Sequence, residues 1–406
     1  MAFATASNRA GRFVSQSSGY RAFLPAPLPP DPPVSVDGDM LSLLSEADIA
    51  LGRLDGIVKV VPDPDFFVGM YVRREAVLSS QIEGTQSTLE DLLEVELEPE
   101  RQDRFTDVGD IVNYVRAMNY GLNCVQELPL SLRLIREIHD ELLRGGRGVR
   151  ATPGEFRTTQ NWIGPAGATL VTASFVPPPV PEMMDALGDL EPFFHRQANV
   201  PVLFDVGLSH AQFETIHSFL DGNGRVGRLL ITFQLVHAGV LRRPLLYLSS
   251  FLKLHRAEYY DRLMAVRTNG DWEGWLRFFF RGVATTANEA TTTAERIFEL
   301  RERHRAQVLD AAGPGQSGLR LLALLFQRPL VNVNLVKDRL EIAFPTANRL
   351  VARFEEEGLL VETTGQRRSR VFRYEPCLSL FEELAPEAGQ RAEARITEAP
   401  TDSDRT

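Results

Sequence analysis

Apolar residues recur at helical spacing along most of the chain, and the breaks in that rhythm divide it. From Asp37 onward, Leu43, Leu44, Ala47, Ala50, Leu51 and Leu54 fall on one stripe, with Asp37 or Asp39 placed to cap the helix. The same spacing predicts a helix over 71–80, interrupted by Gly84. TQSTLEDLLEVEL then restarts one, and Ser87 with Glu90 three residues on has the spacing of a capping box. Helices are predicted over 107–127 and 131–143, the latter with Leu132, Ile135, Ile138 and Leu142 inward and a stop at Gly145-Gly146. Further helices follow over 181–195, 201–217 and 225–238, and then to about residue 310.

The interruptions have their own chemistry. Residues 1–36 form an arm, in which FLPAPLPPDPPV (23–34) is too proline-rich for helix or strand and reads as extended polyproline-like chain. Residues 152–180 are rich in Thr, Val, Phe, Gly and Pro and predict a short β-hairpin or flap. AAGPGQSG (311–318) is a small-residue linker and the expected domain boundary. Beyond it, 319–327, 332–340 and 346–358 form a three-helix pattern, and LLVETTGQRRSRVFRYEP alternates like a two-stranded hairpin. Three helices plus a β-wing is the layout of a winged helix-turn-helix domain over 319–386. The polar, charged residues 387–406 read as a disordered tail. The fold class is therefore mainly α.

Composition narrows the function classes. The 406 residues are 44% hydrophobic and 24% charged, enough for a core, and the formal net charge of −10 argues against a wholly basic nucleic-acid surface. Cys124 and Cys377 lie far apart, in no metal-ligand spacing, which favours a reducing compartment. The N-terminus lacks an apolar h-region and no window approaches a membrane span, so the expected location is cytoplasmic, with no membrane partner.

The chemistry concentrates in HSFLDGNGRVGR (217–228), which reads as a helix end, a tight turn and a new helix start. Gly222 and Gly224 permit positive φ and close backbone approach. The N–H groups around them, with the positive end of the following helix, form a nest for phosphate. Arg225 and Arg228 can hold further phosphate oxygens. Asp221 suits Mg²⁺, which takes one or two carboxylates plus phosphate oxygens. His217 has the side chain to accept a hydroxyl proton near neutral pH. A calcium loop counted from Asp221 would need Gly and Glu where Val226 and Thr232 stand, so calcium fails. DGNG taken alone fits a plain helix–turn–helix junction equally well; His217 and both arginines in register favour chemistry.

The segment resembles the signature of the Fic family of protein AMP-transferases, H-x-F-x-[DE]-G-N-G-R-x-x-R, with Ser218 where proline often follows the histidine. The resemblance implies an all-helical Fic core with a β-hairpin flap. It implies His217 as base, Phe219 as the loop's core anchor and Asp221 as the ligand of Mg²⁺ or Mn²⁺. Gly222, Asn223 and Gly224 would form the nest for the α- and β-phosphates of ATP, with Val226 and Gly227 in the same nucleotide-binding run. Arg225 would brace pyrophosphate and Arg228 the γ-phosphate. Ser79-Ser80-Gln81-Ile82-Glu83-Gly84 fits the family's inhibitory pattern [ST]-x-x-x-E-[GN], which implies that Glu83 pairs with Arg228 and displaces the γ-phosphate. Read alone, that segment is an exposed helix end. PGEFRTTQNWIG matches the family's target-docking flap, where a peptide strand could add edge-on. Tyr259 or Tyr260 would meet adenine, against an equal expectation that they pack in the core. His210 reads as a packed structural histidine. The resemblance spans about 22–375, giving an N-terminal helical module with the inhibitory helix at 37–105 and a catalytic core at 106–310.

The function expected is an autoinhibited adenylyltransferase that moves AMP from ATP to Ser, Thr or Tyr hydroxyls of an unidentified target protein or of itself, releasing pyrophosphate. AMP removal by the same site and a nucleotide-sensing DNA-binding regulator are the alternatives. The C-terminal segment presents Thr346, Asn348, Arg349 and Arg353 on a candidate recognition helix. From 320 to 375 it holds ten Lys/Arg against seven Asp/Glu, compatible with DNA. Glu355, Glu356 and Glu357 on the same helix favour packing or a homodimer contact instead.

Overall fold

A computed structural model describes residues 9–57, 64–98, 107–145, 151–196, 199–310, 315–366 and 368–382. The tail expected at 387–406 and the linker residues 311–314 lie outside these. The chain divides into two compact units, Met1–Val60 with Phe67–Ala290, and Val61–Phe66 with Thr291–Thr406.

The first unit opens where the sequence predicts only an arm. β1 (Gly11–Ser15) and β2 (Arg21–Pro25) pair antiparallel, with Phe13 opposite Phe23. Proline begins to dominate only after Leu24, and Phe23 supplies the burial that fixes the hairpin. It is wholly buried, its N–H donates to Val176 O at 2.9 Å, and its ring meets those of Phe13 and Phe175. Arg9 clamps the same segment through a two-pronged ion pair with Glu273 at 2.8 Å.

Helices then follow: α1 (Gly38–Ile57), α2 (Pro64–Ile82), α3 (Leu89–Leu97), α4 (Val108–Cys124), α5 (Leu132–Leu143), α6 (Val180–Phe193), α7 (Val202–Ile216), α8 (Asn223–His237), α9 (Ser249–Leu254), α10 (Arg256–Asn269) and α11 (Trp272–Asp310). Asp37 caps α1, accepting from Met40 N at 2.9 Å, and Ser131 caps α5. The capping box on α3 sits one residue later than the Ser87–Glu90 spacing suggests. Thr88 is the cap and Asp91 its reciprocal partner, with Asp91 Oδ2 accepting from Thr88 N at 2.7 Å. Asp91 reaches back as well as Glu90 could, and the shorter side chain makes the tighter box.

α7 is the central helix. Every residue from Val206 to Ile216 is buried, so that stretch lacks a polar face. In residues 152–179 the expected flap pairs at a single antiparallel bridge, Ile163 with Phe175, which exchange hydrogen bonds of 2.8 and 3.0 Å. The prolines at 177–179 and the turn at 165–168 leave no room for a longer ladder.

The second unit contains α11 from Thr291 on, then α12 (Gly315–Gln327), β3 (Leu330–Asn332), α13 (Val333–Leu340), α14 (Phe344–Glu356), β4 (Val361–Glu362), β5 (Val371–Arg373) and α15 (Glu375–Glu382). The part of the expected linker that is described, 315–318, is the first turn of α12. The sheet runs β3-β5-β4, all antiparallel. β3 and α15 are additions to the three helices and hairpin read from the sequence. Among the described residues no helix is long and apolar enough to cross a membrane.

Candidate functional site

His217 ends α7 in the left-handed region, φ 50 and ψ 59, where its N–H still donates to Phe213 O at 3.0 Å. That turn throws the next residues out of the helix and exposes their backbone, which is then tied down from two directions. Arg157 Nε and Asn161 Nδ2 donate to His217 O at 3.0 and 3.1 Å, Arg157 N donates to Ser218 O at 2.9 Å, and Asn161 Nδ2 also reaches Phe219 O. Both residues come from PGEFRTTQNWIG, so this segment braces the loop. Asn223 closes the turn itself: Phe219 N donates to its Oδ1 and its Nδ2 donates to Phe219 O, both at 2.8 Å. Asn223 therefore works as a clasp on the loop, a role the sequence reading did not assign to its side chain.

Phe219 is fully buried and stacks on His139 with ring centroids 3.7 Å apart. His139 Nδ1 accepts from Gly154 N at 2.9 Å, so its Nε2 carries the proton that meets Asp221 O at 3.0 Å. Burial pushes His139 down to about 4, which keeps it neutral in this role. Nothing in the sequence marked His139, Arg157, Asn161 or the Glu75 cluster described below as site residues.

Gly222 begins α8 at φ 80, and no side chain caps the helix. The first N–H groups of α8, from Asn223, Gly224 and Arg225, have no intrahelical carbonyl to meet and face the loop. Asp221 stands at the edge of this nest with a half-exposed carboxylate. Its Oδ1 accepts from Gly222 N at 2.6 Å and from Arg225 Nη2 at 3.2 Å. Among the described residues no cluster of three His, Cys, Asp or Glu gathers to hold a metal. One open carboxylate beside an anion nest nevertheless fits Mg²⁺, which takes most of its remaining ligands from phosphate and water. Arg225 is buried, and its Nε finds no partner among the described residues.

One turn into α8, Arg228 is buried and held by α2 and the turn that follows it. Its Nε donates to Ser79 Oγ at 2.8 Å, and Nη2 donates to Ser79 O at 3.0 Å and to Glu83 Oε1 at 2.7 Å. Burial opposes the charge on Arg228, and Glu83 more than restores it. Glu83 also fills the face left bare by Gly224, where a Cβ would stand 2.3 Å from Glu83 Oε1. Gly227, one turn on, is bare for a different carboxylate: a Cβ there would stand 2.4 Å from Glu214 Oε1. Val226 points into the core. Behind Ser79 on α2, Glu75 accepts from Ser249 Oγ at 2.5 Å and Tyr114 Oη at 3.1 Å, and burial raises it to about 7.

His217 is half-buried, with its Nδ1 enclosed and without a hydrogen-bond partner among the described residues. Burial first, and the nearby Arg267 guanidinium second, lower it to about 4. Its imidazole is thus neutral and able to accept a proton across the physiological range. Arg267 is held by Thr215 Oγ1, Glu214 O and the face of Phe175. His210 is a core residue, as expected: Nε2 meets Tyr259 Oη at 2.9 Å and Nδ1 meets Gly227 O at 3.1 Å. Tyr259 is buried with it, while Tyr260 is 42% exposed under the Arg256 guanidinium. Partial burial and then the Glu83 carboxylate raise the Tyr260 phenol, which puts that ring near the switch.

Residues 41–123 match the Fic/DOC family N-terminal region and residues 129–235 match the Fic/DOC family region. The chain is 30% identical over 174 residues to protein adenylyltransferase Fic of Drosophila grimshawi, covering 42% of this chain and 32% of the relative. It is 32% identical over 152 residues to the protein of the same name from Aedes aegypti, covering 37% and 27%. The chain thus spans about a third of the length of the curated relatives it matches. A Fic family protein from Desulfovibrio desulfuricans G20 shares the fold, with TM-score 0.54, 18% identity, and coverage of 84% of this chain and 97% of that one. Residues 41–123 are thus a Fic/DOC family N-terminal region, which carries Glu83, and residues 129–235 a Fic/DOC family region, which carries the His217–Arg228 loop.

Proposed function

We propose that this chain is a restrained protein adenylyltransferase, which moves AMP from ATP to a protein hydroxyl once Glu83 releases Arg228. The observation that carries this reading is the seating of Arg228, whose guanidinium spends its hydrogen bonds on Ser79 and Glu83. An arginine one turn behind a phosphate nest is well placed for a terminal phosphate. A carboxylate on that arginine excludes the phosphate by charge and by volume.

The chemistry follows from the loop. With ATP along the N-terminus of α8, the α- and β-phosphates lie in the nest of Gly222, Asn223 and Gly224. Arg225 faces the leaving pyrophosphate, Arg228 the γ-phosphate, and Tyr260 stands on the adenine side. Asp221 would hold Mg²⁺, which supplies charge neutralisation on the phosphates. Neutral His217 takes the proton of a Ser, Thr or Tyr hydroxyl as its oxygen attacks the α-phosphorus. The bond to pyrophosphate breaks, leaving AMP esterified to the target. Catalysis is then positioning and electrostatic stabilisation.

The test is incubation of the protein with ATP labelled at the α-phosphate, Mg²⁺ or Mn²⁺ and other candidate proteins, followed by peptide mass mapping. A mass gain of one AMP on a Ser, Thr or Tyr, of this chain or of a partner, supports the reading. Loss of the label as free AMP, with no modified peptide under any condition, would favour hydrolysis instead.

A further inference from the structure

Glu214 is a buried carboxylate that the chemistry above does not use. It lies on the last turn of α7, three residues before His217, and is 6% exposed. Its Oε1 finds no hydrogen-bond partner among the described residues and lies over the bare face of Gly227. Glu83 lies over the bare face of Gly224, three residues earlier on the same helix. Two carboxylates, one from the turn after α2 and one from α7, therefore occupy neighbouring glycine positions on α8; Glu83 sustains the charge of Arg228, and Arg228 in turn acts on Glu214.

We propose that Glu214 is the standby counter-ion of Arg228, taking over the guanidinium's charge when Glu83 withdraws and before a nucleotide phosphate arrives. This rests on the transferase reading and deepens its regulation. A buried arginine left without an anion is costly, and the groups around it allow few alternatives. Those facing Glu214 are Glu83 from the turn after α2, Arg228 from α8, and Arg267 and Tyr259 from α10. The two histidines on its own helix, His210 and His217, are held neutral at physiological pH. With Glu83 in place, burial, opposed by Arg228, leaves Glu214 raised to about 7. It is then about half protonated at neutral pH and largely protonated below it. Withdrawal of Glu83 removes one negative neighbour and leaves Arg228 uncompensated, so Glu214 loses its proton to solvent. Arrival of an anionic phosphate on Arg228 reverses this, and Glu214 takes a proton up. Gly227 is bare because any side chain there would displace this carboxylate.

The experiment is ATP binding to Glu83→Gly and to Glu83→Gly/Glu214→Gln, both with Mg²⁺, from pH 6 to pH 8, by calorimetry in buffers of different ionisation heat. Subtracting the second protein from the first removes proton exchange by the nucleotide itself. The expected result is proton uptake on binding, with affinity of the single variant tightening several-fold as pH falls and that of the double variant nearly flat; one exchanged proton sets a ceiling of about tenfold per pH unit. Binding with the same pH dependence in both proteins overturns the standby role and leaves the transferase reading intact. Absence of ATP binding to Glu83→Gly overturns both. Melting curves of Glu214→Gln alone check the fold, since an isosteric amide replaces a carboxyl that is about half protonated at neutral pH in the resting state.

Discussion

Arg228 and His217 are opposite cases of a charged or chargeable group taken out of water. Arg228 keeps its charge because Glu83 sits 2.7 Å away. At His217, burial first and Arg267 second outweigh the Glu83 carboxylate and lower the imidazole to about 4. The sign matters for activity. Protonation removes the base, so activity that depends on neutral His217 should persist down to about pH 4 and fall only below it. The acid limb of the rate of AMP incorporation by Glu83→Gly at saturating ATP measures this; a limb near 6.5, the ordinary histidine value, would mean that His217 is better solvated than its surroundings indicate. At this scale the sequence was informative where residue type and spacing state the chemistry: His217, Asp221, Arg225 and Arg228 sit in one loop, and Glu83 meets Arg228 across 145 residues. It was silent on Glu214, Arg157, Asn161 and Glu75, whose roles come from what packs against them. A glutamate three residues before His217 was the one signal available, since it shares a helix face with the base.

Helices were legible because their apolar spacing and caps are local properties. Ser131, Asn332 and Asp37 all accept from the backbone where a cap is expected. Registers within one residue are less so, as the α3 box shows. If Thr88 is the cap, Thr88→Ala should cost about 1 kcal/mol of stability. Ser87→Ala should cost little by comparison. Urea unfolding of the two variants checks this, and the reverse order would restore the Ser87 register. The β elements were the poorer readings. The hairpin of β1 and β2 was hidden by the prolines that follow it, and the expected flap hairpin reduces to the Ile163–Phe175 bridge. Short strands owe their stability to partners distant in sequence, here Val176 for Phe23. That information is not present in a local pattern.

Across the whole chain, the two units pose separate questions. In the second, Asn348 and Arg349 are exposed on α14, but Arg353 pairs with Glu357 at 2.7 Å and Arg370 with Glu355 at 3.7 Å. Two of the basic groups that could meet phosphate are thus already answered within the unit, which weakens the case for DNA. A salt titration of binding to mixed duplex DNA should show no affinity at physiological ionic strength; a retained complex with a steep salt slope would reinstate a nucleic-acid role. In the first unit, Glu83, the loop and the glycine face of α8 form one assembly, and the proposal made for it is restraint of a competent site. The most direct measurement compares AMP incorporation from labelled ATP by the wild-type chain, Glu83→Gly and Glu83→Gly/His217→Ala under identical conditions. The account predicts low labelling by the wild type, a rise of at least tenfold in Glu83→Gly and none in the double variant; equal labelling by the wild type and Glu83→Gly would contradict it.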